Sequence, residues 1–191
     1  MIRPTRLFFP FLVLVLTGIG CAKQPVTPPA AAAPKSFHPI ASVIDLMSGQ
    51  IDPAADFLWD SVATISGPNG IEEKQPRTDA EWAEVRRQAL ILLEGVKLLV
   101  MEGRPVAHPG QKLENPPGDG DLNPQQSEAM IAAERQIFLA YARALQDAGQ
   151  LALKAIDARD VTAFFESGGA IDEACELCHM KFWYPNGGAP Q

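Results

Sequence analysis

Cysteine and histidine are scarce in this chain, three of each among 191 residues. So few cysteines exclude a disulfide-stapled scaffold. Basic residues are also in deficit, 16 against 23 acidic, so the chain lacks the electrostatic footprint of a nucleic-acid binder. No convincing period-two run is present, so strands are not expected. Nor does any apolar stretch reach the roughly 20 residues of a membrane span. The longest, Leu7 to Ile19, is short and one-sided, and it follows Arg3 and Arg6. That order is the pattern of an export signal, here residues 1–21.

Two readings of its cleavage stand side by side. Gly20-Cys21 resembles a lipobox, which would make Cys21 a lipidated first residue and a membrane tether. Gly20-Cys21-Ala22 also suits ordinary signal peptidase, which would discard the cysteine. The Pro/Ala-rich run 22–36 reads as an extended tether of the kind that follows lipid anchors. Without Arg3 and Arg6, 14 basic residues face 23 acidic ones, a net charge of about −9. A partner with a basic docking face suits such a surface. The remainder, 37–185, is long enough for one domain with one core, followed by a tail, 186–191.

Two of the three cysteines lie in Cys175-Glu176-Leu177-Cys178-His179. This C-x-x-C-H spacing is that of covalent c-type haem attachment. Two thiols one helical turn apart add across the haem vinyl groups, and the adjacent histidine stands under the iron as proximal ligand. A redox dithiol would be expected near a βαβ pattern, which is missing. A zinc site would need two more ligands, and only His38 and His108 remain, each beside a proline. The expected cofactor is one haem c, held through Cys175 and Cys178. C-type attachment takes place outside the cytoplasm, in agreement with an exported, periplasmic protein.

Four apolar stripes of helical period follow the tether. The first carries Ile40, Val43, Ile44, Met47, Ile51, Ala54, Leu58, Val62 and Ile65, interrupted by Asp52-Pro53 and ended by Gly67-Pro68-Asn69-Gly70. Asp52 either caps a second piece or marks a kink. The second opens at the capping box Thr78-Asp79-Ala80-Glu81 and runs from Trp82 to Val100. A Pro/Gly-rich loop, 104–122, separates it from a third helix that starts at Asn123-Pro124 and buries Phe138, Tyr141 and Leu145. Asp160 caps the fourth, striped by Phe164, Gly168, Ile171, Cys175, Cys178 and Phe182. Gly168 is expected to admit a neighbouring helix or the haem. Long amphipathic helices without strands predict an all-α, antiparallel four-helix bundle with the haem near the end of its last helix.

That layout resembles cytochrome c′ and its six-coordinate relatives over roughly Phe37 to Tyr184. The resemblance is carried by Cys175, Cys178 and His179, and implies the thioether cysteines and the proximal ligand at those positions. It also implies a homodimer through the first two helices, with the stripe bearing Trp59 as its face. The sixth iron site follows from depth. In an up-down-up-down bundle, residues five to eight positions into the first helix lie level with His179. Met47 is there and shares an apolar face with Val43, Ile44 and Ile51. Methionine on such a stripe also serves as core filling. The six-coordinate relatives take a methionine from their first helix, so the resemblance implies the same role for Met47. Where cytochromes c′ carry an arginine before the motif, this chain has Asp172, Glu173 and Ala174.

Met101 and Met130 lie one step off their stripes, Met180 adjoins the proximal histidine, and His38 and His108 sit at the bundle mouth and in the loop. Arg104 and Arg135 read as solvated surface or as partners for haem propionates. Phe182 and Trp183 are expected to wall the haem. The function expected is one-electron transfer with His/Met ligation rather than enzymatic catalysis. The alternatives are a five-coordinate NO- or CO-binding protein, and a haem-bearing subunit of a membrane oxidoreductase complex.

Overall fold

The computed structural model describes residues 37–68, 70–111, 118 and 120–185. The export signal, Cys21, the tether and the tail 186–191 lie outside the described residues.

The chain is mostly helical. Helix α1, Val43–Leu46, is a single turn capped by Ser42. The Asp45 amide donates to Ser42 Oγ (3.0 Å) and the Ser42 amide donates to Asp45 Oδ2 (2.8 Å). The backbone then widens into a π-helical turn, Met47–Ile51, in which the Asp52 amide reaches back to the Met47 carbonyl. Ser48 Oγ competes there for the Ile44 carbonyl at 2.9 Å, a local bond that loosens regular α geometry. Helix α2, Asp52–Ser61, continues directly. Pro53 stands at the junction and gives the continuous ladder no N–H there. The N-cap position of α2 is Ile51, whose side chain makes no capping bond, so the arm runs on through the π turn rather than being divided by a cap at Asp52.

The absence of strands expected from the sequence does not hold. Strands β1, Ala63–Gly67, and β2, Gly70–Lys74, pair antiparallel as a hairpin. Neither of its faces is buried, so no apolar alternation was there to read. Ile65, expected on the first helical stripe, is 48% exposed, and Ile71 is 73% exposed. The hairpin register pairs Gly67 with Gly70, and Gly70 has φ +111°, a conformation that glycine tolerates best.

Helix α3, Asp79–Leu99, begins at the expected capping box, with both reciprocal Thr78–Glu81 bonds formed. Its stripe from Trp82 to Leu99 is buried. The expected third helix is two. Asn123 caps α4, Pro124–Ala133, and a non-helical Glu134 separates it from α5, Arg135–Ala158. Asp160 caps α6, Val161–Phe182, through the Ala163 amide. Helix α5 lies against α3 and α6, and α2 packs on α3. The largest fully buried side chains are Phe164, Ile51, Leu58, Leu92, Ile171 and Val85. Each stabilises the fold by about 1.5–3 kcal/mol on burial.

Arg104 and Arg135 are not solvated surface. Arg104 Nε donates to the Leu98 carbonyl (2.8 Å), and its Nη1 donates to the Ala41 carbonyl. Arg135 donates to the Val100 carbonyl and lies over the Phe138 ring at 5.4 Å. Both guanidiniums thus donate to carbonyls at the C-terminal end of α3, where the helix's own amides run out, although the Leu98 carbonyl also accepts from the Met101 amide at 3.1 Å. Among the described residues, no helix is long and apolar enough to cross a membrane.

Candidate functional site

Residues of helix α6 at 174, 175, 178 and 179 share one face, because positions three and four apart stack on a helix. That face forms one wall of a cavity of about 20 Å³. Met47, Ile51 and Asp52 also line it, and Leu99, Tyr141, Ala142 and Leu145 complete the lining. Met47, Cys175, Cys178 and His179 are therefore brought together by elements far apart in the chain. The lining is almost wholly apolar, with two thiols, one imidazole and one thioether as its soft donors.

Burial sets the chemistry of those donors. Both cysteines are free and partly buried. Desolvation, with the nearby Asp52 carboxylate second, pushes the Cys175 thiol up to about 12. Desolvation alone pushes Cys178 to about 11. At neutral pH both are S–H groups rather than thiolates, unlike the exposed low-pKa sulfur of a redox dithiol. Burial also lowers the pKa of His179, outweighing the opposite pull of Glu176. Its imidazole is held neutral, with a lone pair to donate.

An aromatic cluster holds the end of α6. The His179 ring meets Trp183 edge-on at 5.2 Å and Tyr184 at 6.1 Å. Tyr184 donates to Glu176 Oε2, and burial together with that carboxylate raises the phenol's pKa. The Leu122 amide donates to the Trp183 carbonyl at 2.7 Å, tying the end of the long loop to this corner. Phe182, expected as a haem wall, is instead buried against Phe138 (5.5 Å) and Tyr141 (6.2 Å).

The other sulfur and imidazole candidates stand elsewhere. Met101 Sδ accepts from Arg104 (3.6 Å), Met180 is exposed, and His108 Nε2 lies 3.4 Å from Asp45. Asp52 was missed as a member of the cavity, since Asp-Pro reads as a cap in sequence. The residue is exposed overall, yet desolvation and the Asp56 charge push its carboxyl up to about 6.

Among the described residues, no group of three or more His, Cys, Asp or Glu is placed to hold a metal ion. A haem asks less of the protein, because its macrocycle supplies four nitrogens and only the axial ligands come from side chains. The donor set of the cavity fits that demand. Its volume of about 20 Å³ is smaller than the macrocycle, so the lining side chains must part to seat a haem.

Comparison with protein-family models, with curated proteins and with solved structures finds no match.

Proposed function

We propose that the protein is a monohaem c-type cytochrome, a one-electron carrier of the periplasmic side, built as an antiparallel four-helix bundle. The observation that carries this reading is the single cavity shared by Cys175, Cys178, His179 and Met47. The bundle reading is supported by the packing of α5 on α3 and α6 and of α2 on α3.

A bound haem c supplies reversible one-electron chemistry at its iron. The chain's own residues do the rest. Cys175 and Cys178, protonated and side by side, are the thioether positions. Neutral His179, steered by its edge contact with Trp183, would supply the imidazole ligand. Met47, which lines the same cavity, would supply the thioether ligand. A His/Met pair raises the reduction potential. Apolar residues such as Leu99 and Leu145 exclude water and favour the less charged state. With an acidic excess of 7 over the whole chain, a redox partner with a basic face is the natural counterpart. Lipidation of Cys21 would tether the carrier to a membrane.

The test is production in a host that matures c-type cytochromes, followed by denaturation and the optical spectrum of the chain. Haem absorbance that stays with the denatured protein, and is lost in a Cys175→Ser, Cys178→Ser double variant, supports the reading. Haem that dissociates, or never binds, overturns it. The reduced holoprotein is then exposed to CO. Slow or absent uptake agrees with Met47 ligation, whereas immediate uptake favours a five-coordinate gas-binding protein.

A further inference from the structure

Helix α1 is the single first turn of a continuous helical arm, 43–61, and with the π turn it delivers Met47 to the cavity. Its start is also held from outside the arm. The first amides of a helix have no partner within it. Here the Val43 amide donates to the Pro105 carbonyl (2.9 Å) and the Ile44 amide to the Val106 carbonyl (3.1 Å). Those carbonyls belong to the start of the long loop, which goes on to a turn closed by the Gln111 amide on the His108 carbonyl at 3.0 Å. The loop is itself anchored. Arg104 ties it to the Leu98 and Ala41 carbonyls, and the Val106 amide donates to Glu128 Oε2 of α4 at 3.0 Å.

At the far end of this segment, Gln111 closes the arrangement. Its Oε1 accepts from Ser42 Oγ (3.1 Å) and from the His108 amide (2.8 Å), while its Nε2 donates to Asp45 Oδ1 (2.7 Å). Ser42 is fully buried, so its hydroxyl depends on these partners. Downstream of Met47, Gln50 Nε2 donates to the Ile91 carbonyl at 3.0 Å. Ile51 there packs so closely on Gly95 that a Cβ would lie 2.9 Å from its Cγ1. The π turn carrying Met47 thus lies between two tethered points.

We propose that the segment 104–111 is a strap that holds Met47 opposite His179, with Gln111 and Arg104 as its positioning residues. This rests on Met47 being the sixth ligand. The strap resists the outward movement of Met47 that would open the iron, so loosening it raises the population of the open form.

The experiment compares CO uptake by the reduced holoprotein, the spin state of the oxidised protein and the melting temperature in wild type, Met47→Ala, Gln111→Ala and Arg104→Gln. The expected result is fast CO uptake in Met47→Ala. Each strap variant, with its haem still covalently attached, should take up CO about tenfold faster than wild type and show some high-spin character. A tenfold change is the scale of one lost hydrogen bond. Strap variants that melt earlier but take up CO at the wild-type rate overturn the proposal and leave Met47 ligation standing. If Met47→Ala itself leaves CO uptake unchanged, the ligation reading falls and the strap's role falls with it. Should Gln111→Ala fail to fold, Arg104→Gln carries the same readout.

Discussion

The indole N–H of Trp59 donates to the carbonyl of Gly168 at 3.0 Å, fixing α2 on α6 at a point where α6 has no side chain. A Cβ at Gly168 would stand 3.2 Å from Trp59 Cδ1, whereas one at Gly169 would meet nothing. Of the two roles expected for this glycine, the structure gives it that of admitting a neighbouring helix.

Two neighbouring substitutions should therefore differ in sign. Gly169→Ala gains helix propensity and is expected to stabilise the protein by about 0.5–1 kcal/mol. Gly168→Ala makes the same gain but must displace the indole, and is expected to be destabilising by about 1 kcal/mol or more. Urea denaturation of the two variants checks this. Equal midpoints would show that the Trp59 contact has no energetic weight.

Two aspartates should give opposite pH dependences. Asp52 has its carboxyl raised from 3.8 to about 6. The folded state therefore binds its proton more tightly, and stability is lost as pH rises through that interval. Asp52→Asn is expected to stabilise above pH 6 and to have no effect below 3.8. Solvent screening keeps the gain under about 1 kcal/mol. Asp45 is held below 3.8 chiefly by the Ser42 amide. Its contribution is present above 3.8 and lost as pH falls through the depressed value. Asp45→Asn should flatten the acid limb of the stability curve, measured as urea midpoint against pH.

Isoleucines of the hairpin and aliphatic residues of α2 should respond very differently. Ile65→Thr and Ile71→Thr, on exposed strands, are expected to change stability by no more than about 0.5 kcal/mol. Leu58→Ala, at a site 1% exposed, should cost about 2–5 kcal/mol. Denaturant midpoints separate the two classes. A large loss at Ile71 would mean that the hairpin face is covered in solution.

Truncation in the aromatic corner tests how α6 is held. Phe182→Ala removes a buried ring that meets Phe138 and Tyr141 edge-on, at an expected cost of about 3–5 kcal/mol. Calorimetry of the variant checks it. A loss below about 1 kcal/mol would show that Tyr141 and Phe138 close over the gap.

Local signals proved the most legible. Thr78, Asn123 and Asp160 each cap a helix where their sequence context says they should, because a cap is decided within four residues. The stripe of α3 is buried as its period requires. The hairpin was invisible because both faces are wet, and the break at Glu134 because its flanks are good helix formers. Met47 was placed by depth along its helix, a bundle-scale argument. Asp52, Arg104 and Gln111 are read correctly only in space, since their partners lie in other elements. A carboxyl beside proline looks like a cap until the opposite helix is known.

The π turn at Met47–Ile51 is a matter of phase as well as of looseness. Each residue of an α-helix advances the chain by about 100°, and a π turn accommodates one residue more than an α turn does. Deleting Gly49 would restore ordinary winding and swing everything upstream, Met47 included, by about that angle relative to α2. The thioether would then leave the cavity although every side chain lining it was still encoded. What aims this methionine is a count of residues.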